Sequence, residues 1–188
     1  MTTYLPQLTL PESVFGSLPA SVLLPIALGT AVGYSTRPKD VPRQYLSLKN
    51  PPLRPPPQVF GPVWTILYGM MGYAAHRAYT LGTSPLSLPG TIAAARHGTT
   101  LYTIQLGLNL AWMPLFFGFN RPVLALVDIV ALLGANGYLA WLWGTQVDKT
   151  AGWLLVPYLA WMTFATYLNA GTGYLNNWDL SGKSGKKE

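Results

Sequence analysis

Five long stretches that are almost free of charged side chains limit the fold of this sequence more than any other feature. They cover residues 13–36, 55–75, 97–120, 122–147 and 150–178, and the fourth contains one charge, Asp128. Each approaches or exceeds the roughly 20 residues that a helix needs to cross about 30 Å of hydrocarbon. Only 10% of the chain is charged, whereas a soluble domain carries about 25%. The pattern predicts an integral membrane protein.

Backbone chemistry narrows the fold class further. In lipid only helices and closed barrels satisfy all backbone hydrogen bonds, and these stretches are much longer than a barrel strand and do not alternate. We therefore predict an all-α membrane protein, a bundle of five transmembrane helices at about residues 14–35, 57–78, 98–119, 122–146 and 151–176. This domain, residues 13–178, has an N-terminal extension (1–12) before it and a polar tail (179–188) after it.

The distribution of basic residues predicts the topology. Nine of the 12 Lys and Arg residues lie in the first loop, between spans three and four, or in the tail. The opposite side has only Arg77, Arg96 and Lys149. The positive-inside rule therefore places the first loop and the tail in the cytosol. Because the charges follow the loops, the net charge of +6 reflects topology, and no nucleic-acid partner is expected.

Metal and thiol chemistry find little support in the sequence. The absence of cysteine excludes a disulfide framework, thiol catalysis and thiolate metal sites. His76 and His97 have no carboxylate at metal-ligand spacing. We expect both to face solvent, and we predict no metal site.

A proline-rich segment, residues 50–57, directly precedes a predicted helix that is rich in aromatic residues. Because proline restricts the backbone, we expect this segment to form a stiff cover over an internal pocket. Helical spacing then gives one aromatic face on each of three spans. These faces carry Phe60, Trp64 and Tyr68; Gln105, Asn109, Trp112 and Phe116; and Tyr158, Trp161, Ala165 and Leu168. Such walls suit a planar or fused-ring ligand, although ordinary packing remains an alternative. For Trp141, Trp143, Trp153 and Trp178, near span ends, we favour ordinary packing or a position in the membrane interface over a ligand contact.

Polar and small residues inside the spans give further expectations. Asn109 shares a face with Trp112 and is the better candidate for a polar ligand contact. For Asp128 we favour a packing or ion-pair partner such as Arg121 over a ligand contact. The pairs Gly29/Gly33 and Gly107/Ala111 permit close helix approach, either within one chain or in a homodimer.

Four motifs occur in a characteristic order: Pro51–Pro56, Phe60–Tyr68, Leu108–Gly118 and Pro157–Asn169, with Asp128 between the last two. Together they resemble the translocator protein family, also called tryptophan-rich sensory proteins or peripheral-type benzodiazepine receptors. The resemblance covers about residues 19–169. It implies a five-helix bundle whose pocket, beneath the first loop, binds porphyrins, sterols and synthetic isoquinoline-type ligands.

The resemblance also assigns the site residues. Trp64 and Trp161 match two facing tryptophans that bacterial relatives link to light-dependent breakdown of protoporphyrin. The predicted ligand-binding residues are Phe60, Gly61, Pro62, Val63, Trp64, Tyr68, Asn109, Trp112, Phe116, Trp161, Ala165 and Leu168. Leu53 and Leu124 stand where relatives carry tryptophan, so ligand preference should differ from that of the animal receptors.

We therefore expect a membrane protein that binds hydrophobic tetrapyrroles, protoporphyrin or haem, in preference to sterols, for transport, scavenging or sensing. No cofactor is required, and the other partner is membrane lipid. Two alternatives stay open: an enzyme that degrades porphyrin in light through Trp64 and Trp161, and a scaffold subunit of a membrane complex. The N-terminal extension and the lack of a signal peptide favour the mitochondrial outer membrane over the endoplasmic reticulum or a bacterial envelope.

Overall fold

The computed structural model describes residues 8–36 and 48–180. All regular secondary structure in this part of the chain is helical. The predicted all-α class is thus confirmed. The helices are α1 (Glu12–Gly16), α2 (Leu18–Ser35), α3 (Pro57–Gly82), α4 (Pro89–Met113), α5 (Pro122–Gln146), α6 (Lys149–Leu154) and α7 (Val156–Leu175), with a π-helical turn at Pro114–Gly118. Most of the N-terminal extension and of the polar tail lies outside the described residues, as do six basic residues of the topology argument: Arg37, Lys39, Arg43, Lys183, Lys186 and Lys187.

Proline begins the three longest helices. Pro57, Pro89 and Pro122 occupy their first positions, where the missing N–H would have no partner within the helix and the fixed φ already suits it. Asp148 begins α6 differently, because its side chain accepts a hydrogen bond from the N–H of Ala151. Proline removes an N–H that would have no partner, and the aspartate supplies a partner for one.

Three helical segments of the described part are long and apolar enough to cross a membrane: Leu18–Ser35, Pro122–Gln146 and Lys149–Leu175. The third combines α6 and α7, which are separated only at Leu155. The predicted spans at 57–78 and 98–119 correspond to α3 and α4. These helices have 26 and 25 residues, but they carry polar groups such as Arg77, Arg96 and Gln105 that lower their hydropathy.

Helix α5 packs against both α4 and α7, while α2 packs on α3. Two small residues bring helices very close: Gly72 of α3 lies against the backbone of Ser21 in α2, and Gly98 of α4 lies against the Trp143 indole of α5. The Ser21 hydroxyl also donates to the Gly72 carbonyl at 2.8 Å. Close approach of this kind maximises van der Waals contact between helices.

Four aromatic residues lie together near the C-terminal ends of α3 and α5. We call them the far-end cluster: Phe15, Tyr79, Tyr102 and Trp143. The Phe15 ring lies 5.9 Å from Tyr79 and 5.8 Å from Tyr102, and Tyr102 stacks on Trp143 at 6.2 Å. Trp143 is fully buried, so of the two roles predicted for it, packing applies and the membrane interface does not. Its place near a helix end did not reveal that it faces α4.

The prediction that His76 faces solvent is wrong. His76 is half-buried, and its Nδ1 lies 2.8 Å from the carbonyl oxygen of Phe15. It therefore helps to hold α1 rather than facing solvent, whereas His97 is exposed as expected.

Candidate ligand site

A buried chain of polar contacts joins α3, α4 and α7 near the middle of the bundle. The Tyr68 hydroxyl donates to Asn109 Oδ1 at 2.6 Å, and Asn109 Nδ2 donates to the Tyr158 hydroxyl at 2.8 Å. Gly29 of α2 lies against the Tyr68 ring and leaves no room for a side chain. The small residue thus serves packing within one chain, and the three side chains hold fixed positions.

The aromatic rings of the site lie on one side of this chain of polar contacts, toward the start of α3. Trp64 lies 5.2 Å from the Tyr68 ring and 6.1 Å from that of Tyr158. Phe60 meets Trp161 of α7 edge-on at 5.8 Å. Trp64 and Trp161 are only half-buried, so part of each indole is left uncovered by protein. The buried Nε1 of Trp161 has no hydrogen-bond partner within the described residues.

Trp112 forms the wall contributed by α4. Its Nε1 donates to Asn169 Oδ1 at 3.1 Å, and Asn169 Nδ2 donates to the Pro122 carbonyl at 3.1 Å. Its ring stacks on Phe116 at 5.1 Å. Phe116 stands in the π-helical turn that follows Pro114; such turns insert an extra residue and often occur at functional sites.

The described part of the proline-rich segment is attached to α7. The Tyr167 hydroxyl donates to the Pro52 carbonyl at 3.1 Å, and Asn176 bonds both the N–H and the carbonyl of Lys49, at 3.1 and 2.8 Å. Pro51 is buried against Gly171. Leu53 is 84% exposed. These contacts fix the segment over the end of α7.

The other predicted site residues divide by burial. Val63 and Ala165 are half-buried and pack on the main core, and Leu168 is half-buried. Gly61 and Pro62 are exposed, and a side chain at Gly61 would meet nothing within 4 Å. The latter two therefore lie on the outer side of α3, apart from the rings that contact one another.

Two contributors were absent from the predicted ligand set. Tyr158 is fully buried between Trp64 and Asn109, and Asn169 holds Trp112. The sequence contained an indication for each of them. Tyr158 precedes Trp161 by three positions and shares its helical face, and Asn169 is a polar residue inside a span.

Of the roles predicted for Asp128, an ion pair with Arg121 is not found among the described residues, whereas its burial agrees with a packing role. Arg121 is exposed, and the ion pair found within the described residues joins Arg77 to Asp148. Asp128 is 8% exposed, and its Oδ2 is buried without a hydrogen-bond partner in the described part of the chain. The described residues also contain no group of three or more His, Cys, Asp or Glu side chains that could hold a metal ion. The contacts of the site involve aromatic rings and amide and hydroxyl groups.

Sequence comparisons agree on one family. The TspO/MBR family profile matches residues 21–175, which include every residue of the site. A translocator protein homolog of Schizosaccharomyces pombe is 44% identical over 154 residues, covering 82% of this chain and 88% of the relative. The tryptophan-rich protein TspO of Chlorobaculum tepidum is 43% identical over 152 residues, covering 79% and 91%. The human translocator protein is 40% identical over 143 residues, covering 76% and 80%.

Proposed function

This chain belongs to the TspO/MBR family of membrane translocator proteins, and on that premise we propose that it is a five-span bundle that binds hydrophobic tetrapyrroles. Protoporphyrin or haem is the main ligand class, and sterols are the second. The ligand would occupy a pocket beneath the proline-rich segment, for transport, scavenging or sensing.

One observation carries the proposal: three half-buried indoles from three helices stand within about one helical turn of the residues that form the fixed polar chain. Trp64, Trp112 and Trp161 belong to α3, α4 and α7, and each contacts a ring or an amide of a neighbouring element. Flat π faces suit a flat macrocycle, because aromatic pairs gain most from offset or edge-on contact. Uncovered indole area would be removed from lipid by a bound ring.

Polar groups around the rings would orient such a ligand. The unpartnered indole N–H of Trp161 could donate to a ring nitrogen or a carboxylate of the ligand. Lys49, at the proline-rich segment, is exposed and supplies positive charge for propionate groups. Such donors fix orientation in a mostly apolar site.

Removing the two facing indoles tests the site. With full-length protein in lipid nanodiscs, we expect the Trp64→Ala/Trp161→Ala variant to bind protoporphyrin about tenfold or more weakly, because both stacking faces are lost. Binding is followed by the absorbance band and fluorescence of the porphyrin.

The matched control is Trp141→Ala/Trp153→Ala, which removes two exposed indoles and should leave affinity unchanged. Equal affinity of wild type and the Trp64/Trp161 double variant would show that the ligand lies elsewhere. Trp161→Phe isolates the indole N–H, since it keeps an aromatic ring.

Illumination separates binding from the enzymatic alternative. If the bound porphyrin is recovered intact after exposure to light, the protein binds and does not degrade it. If a new chromophore forms, and only while Trp64 and Trp161 are present, the two indoles act in photochemistry.

The proposed compartment is the mitochondrial outer membrane. Relatives include fungal and animal proteins as well as bacterial ones, so the comparisons allow a eukaryotic setting. Fractionation of cells that express a tagged chain, followed by protease treatment of intact mitochondria, would test both the membrane and the cytosolic side of the tail.

A further inference from the structure

The buried carboxyl of Asp128 has a place in the bundle that ordinary packing does not explain. It lies on the face of α5 that packs against neighbouring helices, and its Oδ2 meets no hydrogen-bond donor among the described residues. Removing a carboxyl from water is costly unless it keeps a proton or gains a donor or a cation. Inside a membrane helix such a residue commonly marks a ligand or ion pathway.

The helix register gives the level of Asp128 along α4. Asn136 Nδ2 donates to Gln105 Oε1 at 3.2 Å, and Phe116 shares a buried cluster with Ala125. Because the helices run antiparallel, these two contacts place Asp128 level with position 113. That position follows Trp112 directly.

The register of α7 leads to the same level. The bond from Asn169 Nδ2 to the Pro122 carbonyl aligns the two antiparallel helices, so Asp128 is level with position 163, between Trp161 and Ala165. Asp128 stands six residues into α5, which is about 9 Å from the start of the helix. It therefore lies at the depth of the indoles and not at the membrane surface.

The charged and titratable groups near Asp128 do not supply a donor to it. Arg121 is exposed and forms no ion pair with it within the described chain. The Tyr158 hydroxyl accepts from Asn109 Nδ2, and no hydrogen bond joins it to Asp128 Oδ2. Because no described residue donates to Oδ2, a ligand in the aromatic site would be a source of a donor at this depth.

We infer that Asp128 accepts a hydrogen bond from the bound ligand, so that the site selects apolar ring compounds carrying a hydroxyl or N–H donor over those lacking one. This rests on the proposed function. The carboxyl also disfavours anionic groups at its own depth, which directs propionates toward Lys49 and the proline-rich segment.

A matched pair of ligands on matched variants tests the inference. Cholesterol and its methyl ether differ only at the hydroxyl, and each is titrated by competition with a fluorescent sterol on full-length protein in nanodiscs. We expect the wild type to bind cholesterol about ten- to a hundredfold more tightly than the ether. Asp128→Leu should abolish this preference while leaving affinity for the ether unchanged.

Two further variants guard against a folding artefact. Asp128→Asn keeps an acceptor oxygen at the same place and should retain part of the preference. Asp148→Asn removes a carboxylate at the opposite end of α5 and should retain all of it.

The outcomes separate the inference from the function on which it rests. If the wild type does not prefer cholesterol, or if Asp128→Leu keeps the preference, the inference is overturned, whatever protoporphyrin does. If protoporphyrin and both sterols fail to bind the wild type, the proposed function fails as well.

Discussion

Two aromatic groups of similar composition occupy the two ends of this bundle, and they differ in how completely protein covers them. In the far-end cluster, Phe15, Tyr102 and Trp143 are 1%, 2% and 0% exposed, and only Tyr79 is half-buried. At the candidate site, Trp64 and Trp161 are only half-buried, although each contacts other rings. Full cover indicates a structural role, while partial cover over a fixed polar chain leaves surface for a ligand.

The largest difference should appear when one indole is removed at each end. Trp143→Ala loses a fully buried side chain beside Gly98 and Tyr102, and we expect about 3 kcal/mol or more of lost stability. Trp161→Ala should cost less than half as much, because its indole is only partly covered, while weakening protoporphyrin binding. Unfolding midpoints and porphyrin titrations in the same lipid check both halves. Equal losses of stability would erase the contrast between the ends.

Adding one methyl group probes the far end more finely. Gly98→Ala would place a Cβ against the Trp143 indole, and Gly107→Ala, on the same helix, would meet nothing within 4 Å. Overpacking of this kind costs about 1–3 kcal/mol, whereas the exposed site should be nearly neutral. Thermal unfolding of the pair measures the difference. A neutral Gly98→Ala would mean that α4 and α5 separate easily.

Breaking the polar chain at the site should have a smaller effect on stability. Asn109→Leu leaves the hydroxyls of Tyr68 and Tyr158 without their shared partner. We expect a loss of about 1–2 kcal/mol, since buried polar groups without partners are costly, although interhelical bonds in membranes are individually weak. Adding Tyr68→Phe and Tyr158→Phe removes the orphaned hydroxyls and should restore part of the stability. An unchanged Asn109→Leu variant would show that water or lipid replaces the amide.

Much of the fold class could be predicted from the sequence, because hydropathy and the exclusion of irregular backbone from lipid act on each segment separately. The family prediction is also confirmed by the profile over residues 21–175. Helical spacing correctly put Phe60, Trp64 and Tyr68 on one helix, but it could not say which rings would meet across helices. Contacts such as Phe60 with Trp161 depend on helix rotation and register.

Two outcomes that the sequence left open, the positions of Trp143 and Asp128, depend on the same missing information. Trp143 lies near a helix end, and only its rotation toward Gly98 distinguishes a buried indole from an interfacial one. Asp128 and Arg121 are seven positions apart on nearly the same side of a helix, yet one is buried and the other exposed. Tertiary packing decides both outcomes, and a local pattern does not encode it.

The smallest expected effect concerns the ion pair at the far end. Arg77 Nε donates to Asp148 Oδ2 at 2.6 Å, and Ala151 N–H donates to the same oxygen at 2.9 Å. Partial burial raises the pKa of the Asp148 carboxyl, but these hydrogen bonds outweigh burial and hold its pKa below the ordinary value.

Because the folded-state pKa is lowered, the pair stabilises the protein above the ordinary carboxyl pKa of about 4. That contribution should decline as pH falls below this value, and it should be lost below the folded pKa. The pair is partly solvated, so the change should be smaller than that of Gly98→Ala. Unfolding midpoints of wild type and Asp148→Asn, measured from pH 7 to pH 3, should converge at the acid end. A gap of constant size from pH 7 to pH 3 would mean that the charge of Asp148 contributes nothing to stability.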